Sequence, residues 1–184
     1  MGTGGWIAVA LLGAVLFAVA WLYNRLIADR NLALQGFSDI DVQLKRRADL
    51  VPQLVEAVRG YASHEKALLT SVAELRSAAV AAKPGVDAGR FESERELGAR
   101  LKQLLVLQEA YPQLKADANF RDLSAKLVDT EDQLQYARRF YNGAVKQYRN
   151  RLESFPDVLV AKLFGFKEMP FFETEDRAAV RVQL

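Results

Sequence analysis

The chain has 184 residues, 51% apolar and 26% charged, which suits one folded domain with length to spare rather than a disordered chain. Its 25 basic and 23 acidic residues leave a net charge of +2, without the basic excess of a dedicated nucleic-acid binder, so no nucleic-acid partner is expected. With no cysteine and a single histidine, His64, disulfides, thiolate chemistry and metal sites built on two or more imidazoles are excluded.

From Trp6 to Tyr23 the sequence reads WIAVALLGAVLFAVAWLY, without a charge. A helix of that length spans about 27 Å and, with Gly4 and Gly5, crosses a hydrocarbon core of about 30 Å. Trp6 marks one end, and Trp21 and Tyr23 the other, where amphipathic rings lie at headgroup level. A cleaved signal peptide is the rival reading, because Ala18-Val19-Ala20 looks like a cleavage site. The preceding MGTGG has no basic residue, however, and the apolar run continues past that site without a turn signal, which favours an uncleaved anchor. Arg25, Arg30, Lys45, Arg46 and Arg47 follow the span and no Lys or Arg precedes it, so the short amino end is expected outside and the remainder in the cytoplasm. Ala10, Ala14 and Ala18 recur on one face of the span with Gly13 beside them, a spacing that lets membrane helices approach closely. Self-association through this stripe is the sharper reading; the commonness of alanine in membrane helices is the plainer one.

Between Asn24 and Val51 there is no proline and one glycine, Gly36, so the anchor is expected to continue into a helix without a flexible linker. Phe37, Ile40, Leu44, Ala48, Val51, Val55, Val58 and Ala62 form one apolar stripe at helical spacing. Pro52 falls inside it and should kink the helix or mark a nearby boundary. Gly60 fits a helix end and Ser63 the cap of the next helix. That second helix, from about His64 to Ala82, carries Leu68, Val72, Leu75, Ala79 and Ala82 on one face, and KPGVDAG (Lys83–Gly89) reads as a loop. A third helix, lined by Leu97, Leu101, Leu104 and Gln108, stops at Tyr111-Pro112. The fourth is the longest, with Asn119 as its expected cap and Asp122 in its first turn. Phe120, Leu123, Leu127, Leu134, Ala137, Tyr141, Val145, Tyr148, Leu152 and Phe155 make a heptad-like seam flanked by Arg138, Arg139, Lys146 and Arg149. The missing rung is Thr130 or Glu131, and Pro156 ends the helix. Val158 to Phe164 suits a short helix stopped by Gly165. Met169, Phe171 and Phe172 show no period, and the last eight residues alternate weakly, so this tail is expected to pack loosely.

Chemistry-bearing residues fit structural roles. His64 and Glu65 lie at a predicted helix start without the Glu-x-x-His or i, i+4 spacing of helical metal sites, which reads as a surface histidine. Asp129, Glu131 and Asp132 read as a solvated face, except that Glu131 falls near the seam and then needs a partner such as Arg46, Arg47 or Arg138 in a polar layer that fixes register. The Lys45-Arg46-Arg47 cluster would stand about 33 Å beyond the span on a rigid helix, several Debye lengths from lipid, which favours ion pairing inside the bundle. PGVDAG lacks the ending and the preceding strand of a phosphate loop. No catalytic residue, cofactor site or metal ligand is expected.

The strings DIDVQLKRRADLVPQLVEAVRGYASHE (Asp39–Glu65) and EAYPQLKADANFRDLSAKLVDTEDQLQYARRFYNGAVKQYRNRLESFPDVLVAKLFGF (Glu109–Phe166), with the amino-terminal span, resemble the LemA family from the anchor to about Phe172. Two departures are visible: Ala48 stands where the family often has His, and Gly143 where it often has Asp. The resemblance implies a single amino-terminal membrane helix, a cytoplasmic bundle of long antiparallel helices and a bacterial inner-membrane location, with no catalytic residues. A relative in magnetosome-forming bacteria is linked to building an intracellular membrane compartment, which implies a role in membrane organisation by analogy alone.

The expected fold is all-α: a single transmembrane helix (1–28) continuing into an antiparallel up-down four-helix bundle (29–156), followed by a short helix and tail (157–184). The expected function is a non-enzymatic scaffold or interaction protein, partnered by the bilayer, by copies of itself and by an unidentified protein. The alternatives are a helical-bundle metalloprotein enzyme, or a periplasmic adaptor if the topology is inverted.

Overall fold

The computed structural model describes residues 2–62, 64–82, 85 and 88–172. These residues form α1 (Thr3–Arg59), α2 (Lys66–Ala81), α3 (Ala88–Ala110), α4 (Pro112–Ala116), α5 (Ala118–Glu153) and α6 (Asp157–Leu163), with no strand among them. The fold is all-α, with one long apolar amino-terminal helix. Ser63, most of the Lys83–Gly89 loop and the last eight residues, on which sequence expectations fell, lie outside the described residues.

α1 is the axis of the molecule. Its 57 residues correspond to about 85 Å of helix. Side chains 2–18 are exposed all round, and from Leu22 onward α1 buries one face against antiparallel α5. Pro52 lies within α1, and the expected boundary does not fall there; the helix ends at Arg59. Proline removes the N–H that would bond the Ala48 carbonyl one turn earlier. Arg76 of α2 supplies the substitute, its Nε donating to the Ala48 carbonyl at 3.3 Å, while the proline ring stays exposed.

The cap of α5 lies two residues before the expected one. Asp117, not Asn119, is the N-cap, and its carboxylate accepts the Phe120 N–H at 2.7 Å. That backbone hydrogen bond, aided by one from the Tyr61 hydroxyl at 3.0 Å, holds the Asp117 carboxyl below its ordinary range. At the other end α5 stops at Glu153, because Ser154 turns to extended backbone (φ −86°, ψ 141°). The buried seam therefore ends at Leu152. Phe155, expected to be its last rung, has left the helical phase and projects outward.

Three apolar layers are stacked along the α1–α5 pair. The layer nearest the apolar segment, the proximal layer, joins Leu22 and Leu26 to Tyr148, Leu152, Val160 and Ala161. The middle layer centres on Phe37, Ile40 and Leu44 against Phe91, Leu134 and Tyr141. In the distal layer α1, α2, α3 and α5 all contribute, with Leu54, Val72, Leu101 and Leu127 among its members. With Leu114 of α4, five helices share that distal layer, whereas the proximal one is built from α1, α5 and α6. α2, at 16 residues, is too short to run the full length of the pair. Gly36 sets the close approach of α1 to α5: a Cβ there would lie 2.9 Å from Phe140 Cδ1 and 3.1 Å from the Tyr141 Cα.

From Lys167 to Phe172, the described part of the segment after α6 is tied down more firmly than the loose packing expected of the tail. The Tyr148 hydroxyl donates to the Lys167 carbonyl (3.1 Å) and the Tyr141 hydroxyl to the Pro170 carbonyl (2.7 Å). The Asn142 amide clamps Phe172, donating to its carbonyl (2.9 Å) and accepting its N–H (2.8 Å). These side chains act as a surrogate strand partner for an extended chain that has no periodicity of its own. Phe172 is thereby buried against Phe91, with ring centroids 4.1 Å apart, and the Arg138 guanidinium lies 4.4 Å from its ring centre.

Candidate functional site

The distal and middle layers are separated by a buried ion cluster. Arg47 of α1 is fully buried and donates to Glu94 Oε2 (2.5 Å) and the Glu94 carbonyl (2.8 Å) of α3, and to Glu131 Oε1 (2.8 Å) of α5. Thr130, also fully buried, is the missing seam rung, and Glu131 lies beside it with its side chain 23% exposed. Glu131 was expected to need an arginine, and Arg47 of the three candidates provides it. Arg46 instead pairs with Asp129 at 3.2 Å on the surface, and Arg138 is turned to Phe172. Gly98 makes room for the cluster, since a Cβ there would stand 3.1 Å from Arg47 Nη1. Of the basic run, Arg47 is thus spent inside the bundle and Arg46 on a surface ion pair.

A second cluster separates the middle and proximal layers. Asp29 of α1 is buried, accepts from Gln147 Nε2 at 2.8 Å and pairs with Arg151 Nε. Arg151 also faces buried Asp157 of α6 at 3.9 Å. Sequence reading missed this layer, although a signal was present: Asp29 continues the helical spacing of Leu22 and Leu26 toward Ala33, so a carboxylate occupies a core position. The two ion layers lie eighteen residues apart on α1, about 27 Å. A slip of α5 by one helical turn would break both, so together they lock the antiparallel register.

Trp6 is exposed at the amino end of the apolar segment. Trp21 is exposed at the carboxyl end beneath the Arg25 guanidinium, 5.3 Å from the ring centre. Tyr23 is half-buried, edge-on to Phe164 and Phe166. Ala10, Ala14 and Ala18 are all exposed on the segment. His64 is exposed, and Asp129, Glu131 and Asp132 diverge to Arg46, to Arg47 and to solvent. Among the described residues no group of three or more His, Asp or Glu side chains is placed to hold a metal ion. The buried tyrosines Tyr141 and Tyr148 have hydroxyls pushed above their ordinary pKa by desolvation, opposed at Tyr148 by the charge of Arg30. Both hydroxyls donate to backbone carbonyls, so raising their pKa keeps them as donors. Tyr136, from the same aromatic-rich stretch, lies on the surface under Arg139.

The LemA family model matches residues 36–184, most of the chain. The chain belongs to the LemA family. Among curated relatives, a magnetosome protein, MamQ, of Magnetospirillum gryphiswaldense is 22% identical over 90% of this chain and 71% of its own length. Protein LemA of Metamycoplasma hominis is 23% identical over 95% of this chain and 79% of its own. The apolar amino-terminal helix and these relatives make this LemA-family chain a membrane-associated helical protein. The two departures from the family pattern differ in setting. Ala48 is buried under Arg76, whereas Gly143 is exposed with open space where a Cβ would stand.

Proposed function

We propose that this LemA-family protein is a non-enzymatic scaffold of the bacterial inner membrane. The amino end faces outward, and the bundle stands in the cytoplasm and presents its faces to further copies of the chain and to a protein partner. The observation that carries the reading is α1, unbroken from the apolar segment through the whole core, which would hold the distal bundle at a fixed height above the bilayer. From Tyr23 to Arg59 that height is about 54 Å. The interior polar groups support it too, because Arg47, Asp29 and Arg151 are engaged with one another's elements rather than turned into a cavity. The magnetosome relatives lend support by family analogy.

Crosslinking in native membranes followed by mass spectrometry tests the reading, since it reports self-association through the Ala10, Ala14 and Ala18 face and any partner together. A chain that stays strictly monomeric in detergent and uncrosslinked in membranes would count decisively against assembly. Stoichiometric iron, manganese or zinc in the purified protein would overturn the non-enzymatic assignment. A carboxyl-terminal reporter active only in the periplasm would invert the topology.

A further inference from the structure

We infer that the molecule touches the membrane a second time: the elbow between α5 and α6 lies in the interfacial layer of the leaflet from which α1 emerges, with Phe155, Leu159, Leu163 and Phe164 toward lipid. These four side chains are 80%, 60%, 74% and 51% exposed, a cluster of large apolar groups within ten residues of chain. A soluble surface rarely leaves such a group uncovered without a use for it. Its position names the occupant. The opposite face of α6, Val160 and Ala161, packs on Leu22 and Leu26 of α1, with Val19 and Tyr23 alongside. Phe164 stands edge-on to Tyr23, with centroids 4.9 Å apart, and Tyr23 is the last residue of the apolar stretch. If that stretch fills the hydrocarbon core, α6 is held where hydrocarbon gives way to headgroups, the depth at which amphipathic helices settle.

The charges at this height agree. The exposed acids Glu153 and Glu168 are both engaged by Arg149, at 3.2 and 3.4 Å, and Asp29 and Asp157 are buried with Arg151. Lys162, beside Leu163, and Lys167 form no ion pair among the described residues, which leaves them for anionic headgroups. The Lys162 stem can lie along lipid while its ammonium reaches water. Two contacts, a span and an elbow, would restrain the tilt of the rod as well as its height.

The inference rests on the anchor reading, and one experiment separates the two. The chain has no cysteine, so single-cysteine variants carry one label each. Leu159→Cys and Leu163→Cys are compared with Leu11→Cys in the span and Val128→Cys on the exposed distal bundle, each labelled with an environment-sensitive fluorophore. The full chain is placed in phosphatidylcholine–phosphatidylglycerol vesicles containing lipid quenchers at shallow or deep acyl positions. The expected result is several-fold stronger shallow quenching at positions 159 and 163 than at 128, and deep quenching at 11. If 159 and 163 behave like 128 while 11 is quenched, the second contact is wrong and the anchor stands. If 11 is also unquenched, both fall. If 159 and 163 are shielded from aqueous iodide yet insensitive to lipid quenchers, a second copy covers the face and the lipid assignment is overturned.

Discussion

Replacing Arg47 by methionine tests the most heavily connected residue of the core. Methionine keeps the length of the stem and deletes the guanidinium, which makes three hydrogen bonds with no exposure to solvent. What remains is Glu94, its side chain 5% exposed, and Glu131, facing a site without a cation. Breaking a buried pair by removing one partner costs about 3–5 kcal/mol, most of it from the uncompensated charge left behind. For a bundle of this size that lowers the melting temperature by roughly 6–20 °C. The assay is thermal unfolding of the full chain in nanodiscs, followed by far-UV circular dichroism, with hydrogen exchange to show that α3 loosens first. The triple variant Arg47→Met, Glu94→Leu, Glu131→Leu is the control: with the charges removed together it should recover most of the lost stability. A single variant within about 0.5 kcal/mol of the native protein would refute the idea that this layer locks the bundle.

Gly36→Ala should destabilise, because strain against the Tyr141 backbone costs about 1–3 kcal/mol, more than the roughly 1 kcal/mol gained in helix propensity. Gly143→Ala, with nothing near the new Cβ, should stabilise by up to about 1 kcal/mol; urea titration of the two variants reads the contrast. Arg76→Met should cost about 1–3 kcal/mol by orphaning the Ala48 carbonyl, with faster amide exchange on α1 around Pro52 as the local signature. Tyr141 keeps its proton in the folded state to higher pH than in the unfolded chain. Its contribution is therefore complete below about pH 10 and lost as pH rises above that value toward the raised folded pKa. Stability measured across that range should fall less steeply in Tyr141→Phe than in the native chain, by at most about 1.4 kcal/mol per pH unit.

The helices were legible because burial imposes a period. Leu44, Val51 and Val58 on α1, and Leu123, Leu134 and Tyr141 on α5, lie where their spacing placed them, fully or almost fully buried. What escaped the sequence was long-range. Nothing near Pro52 announces that Arg76 will supply its missing donor. Nothing in the aperiodic tail announces that Asn142 and two tyrosine hydroxyls, up to thirty residues earlier, will hold it. Phe155 shows the limit of periodicity itself: it satisfies the seam spacing but lies past Glu153, where the helix has already ended. The Arg47 layer was half legible, since Glu131 signalled a need for a cation, while the contribution of Glu94 from α3 depended on packing that no local pattern encodes.

The central claim is that anchor and bundle form one rigid rod, and the most direct measurement is a distance within it. Spin labels on cysteines replacing exposed Asn24 and Glu56, with the full chain in nanodiscs, span thirty-two residues of α1. Pulsed dipolar spectroscopy should return a single narrow distribution centred near about 48 Å, the helical rise over that interval. A broad distribution, or one centred well below that distance, would mean that the helix bends or breaks between membrane and bundle, and would contradict the account.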